Sequence, residues 1–303
     1  MKKRGENMEV LGSYKNGNYN VKIFKDGTKI RFNNLDNLTP EKPESMDLKI
    51  CNRCDIGCPM CHENSVKDGA IGDILNMKFL ETLLPYTEIA IGGGNPLEHP
   101  DLIPFLKKCK DLKLIPSMTV NQIHFMKEQQ LIKFLVEEQL IYGLGISLVS
   151  ANDKFLNTVS QYPNAVIHLI NGVHQISEIE KLFNRDLKIL ILGYKEFRRG
   201  KDYYSPEVEQ LKKDTFNFLP NMVGHFKVIS FDNLALQQLD CKRLLTSEEW
   251  QKFYMGNDGH FTMYIDAVNK EFARSSTSTL RYKLTDDIKE MFDTVRAEVA
   301  VND

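Results

Sequence analysis

The chain has 303 residues, 42% hydrophobic and 26% charged, with a formal net charge of −2. That length suits one large domain or two small ones, and barrel folds commonly use it as a single unit. The balance of charge excludes a strong nucleic-acid field, no apolar run reaches the length of a membrane span, and the basic start Met1-Lys2-Lys3-Arg4-Gly5-Glu6 lacks the apolar core of a secretion signal, so a cytoplasmic protein without membrane contact is expected.

In chain order, residues 9 to 33 carry a hairpin signal. Tyr19–Phe24 alternates, Lys25-Asp26-Gly27 turns, and Thr28–Phe32 alternates again. Thr39–Pro43 reads as a linker. From Met46 the pattern changes to apolar strand-like runs separated by helix-like segments. Strands are predicted at Met46–Ile50, Glu88–Gly92, Leu112–Val120, Tyr142–Val149, Ala165–Ile170, Leu187–Leu192 and Phe226–Phe231. Helices are predicted near Asn76–Leu84, Asp101–Lys108, Glu128–Glu138, Ser177–Phe183 and Pro206–Phe216. This alternation is the mark of a parallel sheet, closed as a full or partial barrel or open and doubly wound, with functional loops at the C-terminal strand ends in either case.

After residue 231 the alternation stops. Ser247-Glu248-Glu249-Trp250 starts a helix, Asp258-Gly259-His260 turns into the strand Phe261–Ile265 of another hairpin, Ser275–Thr279 is a polar loop, and Asp286–Val299 has helical periodicity. The expected division is an N-terminal β-hairpin extension over 1–45, a core over 46–235 and a C-terminal extension over 236–303 that packs on the core.

Four of the six cysteines fall within eleven residues, in Cys51-Asn52-Arg53-Cys54-Asp55-Ile56-Gly57-Cys58-Pro59-Met60-Cys61-His62-Glu63, just after the first strand of the alternating series. A disulfide framework would be spread out, so clustering points to metal or catalysis. Four readings compete. Buried thiols do not explain a short loop with Gly and Pro. Structural zinc on Cys51, Cys54, Cys58 and Cys61 would make a non-catalytic interaction protein, although zinc ribbons separate their ligand pairs by a longer loop. A redox pair leaves two cysteines over. Cys54, Cys58 and Cys61 can instead hold an iron–sulfur cluster with one iron open.

The C-x3-C-x2-C spacing of Cys54, Cys58 and Cys61 resembles the signature of the radical S-adenosylmethionine (radical SAM) superfamily. The next strand ends in Gly92-Gly93-Gly94-Asn95-Pro96-Leu97-Glu98-His99-Pro100-Asp101, which is similar to the family's second signature, Gly-Gly-Glu-Pro, except that Asn95 stands for the usual Glu. The likeness spans about residues 46 to 231. It implies a partial parallel (β/α)6 barrel carrying small terminal additions. It also implies a single [4Fe–4S] cluster on Cys54, Cys58 and Cys61, with S-adenosylmethionine chelating the open iron. Reductive cleavage of that cofactor then yields a 5′-deoxyadenosyl radical, which abstracts hydrogen from substrate. An external flavodoxin- or ferredoxin-like electron donor follows.

By the same resemblance, Met60 would lie near adenine, Gly93, Gly94 and Asn95 would meet the methionine amine, and Asn121 and Ser147 would face the cofactor from the third and fourth strands. Cys51 ends the strand and is not expected as a ligand. His62 and Glu63 either tune the cluster, meet substrate or cap the loop. Tyr194, Lys195, Arg198 and Arg199 either face substrate or are solvated, and Cys241 reads as a buried bystander. The substrate remains open among nucleosides, small metabolites and a protein or peptide residue.

Overall fold

The computed structural model describes residues 9–35 and 37–302; the basic start Met1–Glu6 lies outside the described residues. Strands β1 (Val10–Asn16), β2 (Tyr19–Phe24) and β3 (Lys29–Phe32) form a separate antiparallel sheet in the order β1-β2-β3. The expected hairpin is β2–β3, and β1 adds a third strand to it.

The main sheet begins with seven parallel strands: β4 (Ser45–Cys51), β5 (Glu88–Gly93), β6 (Ile115–Asn121), β7 (Gly143–Ser147), β8 (Ala165–Ile170), β9 (Lys188–Leu192) and β10 (Val228–Phe231). Each pairs with the next in sequence, so the strand order never reverses. A doubly wound sheet needs such a reversal, whereas an unbroken succession curls into a barrel wall. The partial parallel barrel is therefore the architecture. Alternation drives it. In β4, Met46, Leu48 and Ile50 are buried under the helices, while Asp47 and Lys49 take the inner face.

The helices are α1 (Leu102–Asp111), α2 (Gln122–Lys127), α3 (Gln129–Glu137), α4 (Asp153–Val159), α5 (Ile176–Glu180), α6 (Arg199–Tyr203), α7 (Pro206–Met222) and α8 (Asn233–Gln238). Four of these, α2, α4, α6 and α8, escape the sequence pattern because they are one to two turns long. The helix expected near 76–84 is a 3-10 turn over Lys78–Thr82. A further helix, α9 (Ser247–Phe253), opens with a capping box between Thr246 and Glu249.

Strand β11 (Thr262–Asp266) is the first strand of the expected C-terminal hairpin with β12 (Glu271–Ala273), and a short β13 (Tyr282–Lys283) follows. Beyond that expectation, β11 also pairs in parallel with β4, Met263 beside Met46, and so extends the barrel wall. The last helix, α10 (Ile288–Asn302), buries Ile288, Met291, Phe292 and Val295 in the same core as the barrel strands.

The small sheet seats at the N-terminal ends of the barrel strands. Its Tyr19, Val21 and Ile23 pack against Ile115 at the start of β6 and Phe261 before β11. At that seam the buried Glu44 carboxylate takes the Arg31 guanidinium at 2.8 Å, the Tyr19 hydroxyl at 2.6 Å and the Lys29 ammonium at 3.2 Å. The opposite rim, the C-terminal ends of the strands, carries the cysteine loop.

Candidate metal and cofactor site

All six cysteines are free thiols. Cys54, Cys58 and Cys61 are half-buried on the loop that leaves β4, while Cys51 is 1% exposed. The incoming limb is held like a strand. Asn52 N–H donates to Ala70 O at 2.7 Å, Cys54 N–H to Val66 O at 2.9 Å, and Val66 N–H to Asn52 O at 3.0 Å. Gly57 turns the loop at φ 67°, a left-handed conformation that favours glycine. Cys61 N–H then bonds Cys58 O at 3.2 Å, closing the turn that brings these two cysteines round. Burial raises the Cys54 and Cys58 thiols above their ordinary value, and the neighbouring cysteines raise them further.

The glycine turn at the end of β5 is bonded to this loop. Gly94 N–H donates to Cys51 O at 2.8 Å and Asn95 N–H to Arg53 O at 2.6 Å. A side chain at Gly93, where φ is 110°, would stand 2.4 Å from Cys51 O, and one at Gly94 would stand 2.1 Å from Arg53 O. Both glycines are thus required by the approach of the cysteine loop itself. The Asn95 side chain is occupied locally: its oxygen accepts from Leu97 N–H at 3.3 Å and its nitrogen donates to Glu98 at 3.0 Å. The Cys51 thiol donates to Asn95 O at 3.4 Å. His99 ties the same turn back, with Nε2 2.9 Å from Gly72 O and Nδ1 accepting from Asp101 N–H at 3.1 Å.

The outgoing limb centres on Glu63, a buried residue that the sequence left unassigned between cluster, substrate and cap. Its carboxylate meets Lys49 at 3.0 Å, His62 at 3.3 Å, the Tyr264 hydroxyl at 3.4 Å and Arg198 at 3.6 Å. Burial alone would raise the Glu63 carboxyl, but His62 and then Lys49 reverse this and hold it well below the usual carboxylate range. Lys49 also pairs with Asp266 at 3.3 Å, and Asp266 caps the β11–β12 turn through Val268 and Asn269 N–H.

The segment after β9 takes part as well. Arg198 donates to Glu63 O at 2.9 Å, Arg199 to Ser65 O at 2.8 Å, and Lys195 to Ser276 at 2.9 Å with His62 Nε2 at 3.4 Å. Tyr194, 2% exposed, donates to Gly200 O at 2.7 Å. These groups grip protein, while Lys195, Arg198 and Arg199 stay partly exposed.

On the barrel's inner face, Asn121, Ser147 and His168 are successive register partners across β6, β7 and β8. Asn121 caps α2 by accepting from Ile123 N–H at 2.8 Å, and its amide nitrogen stands 3.8 Å from the Cys58 sulfur. Met60 is half-buried on the cysteine loop, its carbonyl close to Gly200. Cys241 is buried, 4% exposed, below α8 and away from this rim. On the open flank, between α8 and the β11–β12 hairpin, lies a cavity of about 1060 Å³ lined by Asp47, Lys195, Asp232, Asp258, Arg274 and Ser276 among others.

A tetrahedral zinc with Zn–S bonds of about 2.3 Å brings its sulfurs within about 3.8 Å of one another. Among the described residues, no three cysteine sulfurs lie within 4.8 Å. The group that does is Cys54, Asp55 and His124, in which the buried His124 imidazole already bonds Asp55 at 2.6 Å. An iron–sulfur cluster attaches each thiolate to a different iron, so its sulfurs stand further apart, and soft thiolates are its proper donors. The three half-buried cysteines fit that group. Lys49 and His124 were the residues that sequence reasoning missed. Lys49 carried a signal, as the polar alternate in an otherwise apolar strand; His124 carried none.

No protein-family model matches the sequence, and no curated protein does. Solved structures share the fold. The crystal structure of Streptococcus suis SuiB bound to precursor peptide SuiA aligns with a TM-score of 0.60 and 13% identity, covering 86% of this chain and 67% of SuiB. SuiB bound to S-adenosylmethionine aligns at 0.56 with 12% identity, covering 81% and 64% of the two chains. SuiB alone aligns at 0.55 with 14% identity, covering 85% and 66%. The chain spans about two thirds of SuiB's length, and at these identities the likeness is one of fold.

Proposed function

We propose that the chain is a radical S-adenosylmethionine enzyme that carries one [4Fe–4S] cluster on Cys54, Cys58 and Cys61. The observation that carries the reading is the pair of backbone bonds from Gly94 to Cys51 and from Asn95 to Arg53, which join the two sequence signatures into one site. The barrel shared with SuiB, crystallised with S-adenosylmethionine, supports it. Bound there, the cluster and S-adenosylmethionine would supply reductive cleavage of the sulfonium and hydrogen abstraction from substrate, with the electron drawn from an external flavodoxin- or ferredoxin-like donor.

The protein's part is binding, orientation and exclusion of water. Cys54, Cys58 and Cys61 hold the metal. Gly93, Gly94 and Asn95 present backbone groups to the amino-acid end of the cofactor, because the Asn95 side chain is engaged with Leu97 and Glu98. Asn121 and Ser147 face the nucleoside from the barrel wall, and Met60 meets adenine from the cysteine loop. Substrate enters by the cavity on the open flank. A peptide is one candidate substrate, since SuiB was crystallised with a precursor peptide.

Anaerobic reconstitution tests the reading. A brown protein with about four irons per chain is expected, releasing 5′-deoxyadenosine from S-adenosylmethionine when reduced. Cys51→Ser should keep the same iron content, because its thiol is bonded to Asn95 O. A colourless wild type, or loss of metal on changing Cys51 alone, would overturn it in favour of a zinc protein.

A further inference from the structure

We propose that the turn between β9 and α6 is a clasp that retains the cluster by pinning the outgoing limb of the cysteine loop, with Arg198 on Glu63 and Arg199 on Ser65. This rests on the reading that the loop holds an iron–sulfur cluster. The sequence left Arg198 and Arg199 between substrate and solvent, and nothing in the proposed chemistry uses them.

The geometry assigns the role. Glu63 follows the last cysteine by two residues, and both its carbonyl and its carboxylate are taken by Arg198, at 2.9 and 3.6 Å. Ser65 O, two residues on, is taken by Arg199 at 2.8 Å. Gly200 lets the turn lie flat: a side chain there would stand 2.2 Å from Lys195 O and 3.4 Å from Met60 O.

Arg198 itself sits at φ 51° and ψ −130°, a backbone state that L residues avoid and that persists where the surroundings enforce it. Its guanidinium is what fastens it, since the opposite face of Glu63 is fixed by Lys49 from beneath and Tyr264 from β11. The limb is therefore held from β4, from β11 and from the segment after β9. Arg198 and Glu63 act on the loop that carries the cysteines, so on this proposal they are positioning residues.

Three substitutions test the clasp in the full chain reconstituted with iron and sulfide. Arg198→Gly removes the guanidinium at a position where glycine suits the backbone, so its metal-free thermal midpoint should stay near that of the wild type. Arg198→Lys keeps the charge but not the planar guanidinium whose Nη1 meets both the carbonyl and the carboxylate of Glu63. Glu63→Gln weakens the partner. Iron release to a ferrous chelator should be about tenfold faster in Arg198→Gly and Glu63→Gln, the loss of one charge-assisted hydrogen bond. Arg198→Lys should fall between them and the wild type, and the electron paramagnetic resonance signal of the reduced cluster should change. The double variant should fall short of the product of the two single effects, because both remove the guanidinium–carboxylate contact. Wild-type release rates in both single variants, or additive effects in the double, would overturn the clasp. A wild type that takes up no iron overturns the cluster reading and the clasp together.

Discussion

Gly93 and Gly94 show how much a single position decides at this rim. Their missing side chains leave room for the carbonyls of Cys51 and Arg53, and the two backbone bonds between the loops depend on that space. Gly94→Ala should therefore push Arg53 away, costing about 1–3 kcal/mol as overpacking does, and most of the iron uptake should be lost with it. Iron per chain and urea unfolding, measured side by side, check this; full iron uptake by the variant would contradict the account. The sequence marked these glycines through the signature and assigned them to a cofactor's amine; the structure adds the close approach of the protein's own loop as a further reason for glycine. Asn95 was flagged as a departure, but its engagement with Leu97 and Glu98 is a matter of rotamer that no pattern of residue types reveals. Glu63 and Arg198 are 135 residues apart, so their pairing leaves no mark in local sequence.

At the scale of elements, the strand succession was legible because apolar runs alternate with helical ones, and β4 through β10 fall close to where alternation put them. The role of the small N-terminal sheet was not, since a hairpin signal says nothing of what the hairpin covers. Its seam is built on Glu44, whose side chain is fully buried. Burial raises that carboxyl; Arg31, through its hydrogen bond, and then Lys29 more than reverse the shift, so the folded chain gives up its proton at lower pH than the unfolded one. The sign follows: the contribution is full above the unfolded value near 4.5 and is lost as the pH falls through the lower folded value. Glu44→Gln leaves Arg31 and Lys29 without their buried partner, a change that typically costs about 3–5 kcal/mol. The loss should be seen at neutral pH as a lower urea midpoint, and the gap between variant and wild type should narrow below pH 4.5. A gap that is constant with pH would show that Glu44 does not titrate with folding.

For the whole molecule, the C-terminal third is part of the barrel's core. Helix α10 buries Ile288, Met291, Phe292 and Val295 completely, at about 1.5–3 kcal/mol each, so about 6–12 kcal/mol together. That equals the entire stability of an ordinary domain, about 5–15 kcal/mol. Removal of residues 286–303 should leave a chain that binds hydrophobic dye and shows no cooperative unfolding; a cooperative transition near the wild-type midpoint would refute this. The helix itself was legible from its periodicity, but the parallel pairing of β11 with β4 was not, because an alternating strand looks the same whichever neighbour it takes. That pairing has a consequence for biosynthesis. Tyr264 and Asp266, which fix Glu63 and Lys49 from β11, lie about 200 residues downstream of the cysteines. While the ribosome is still making the middle of the protein, the cysteines have already emerged but their last supports have not. On the proposed reading, a stable cradle for iron and sulfide then forms only once β11 has been made, and a nascent chain stalled before it would present three thiols without these supports.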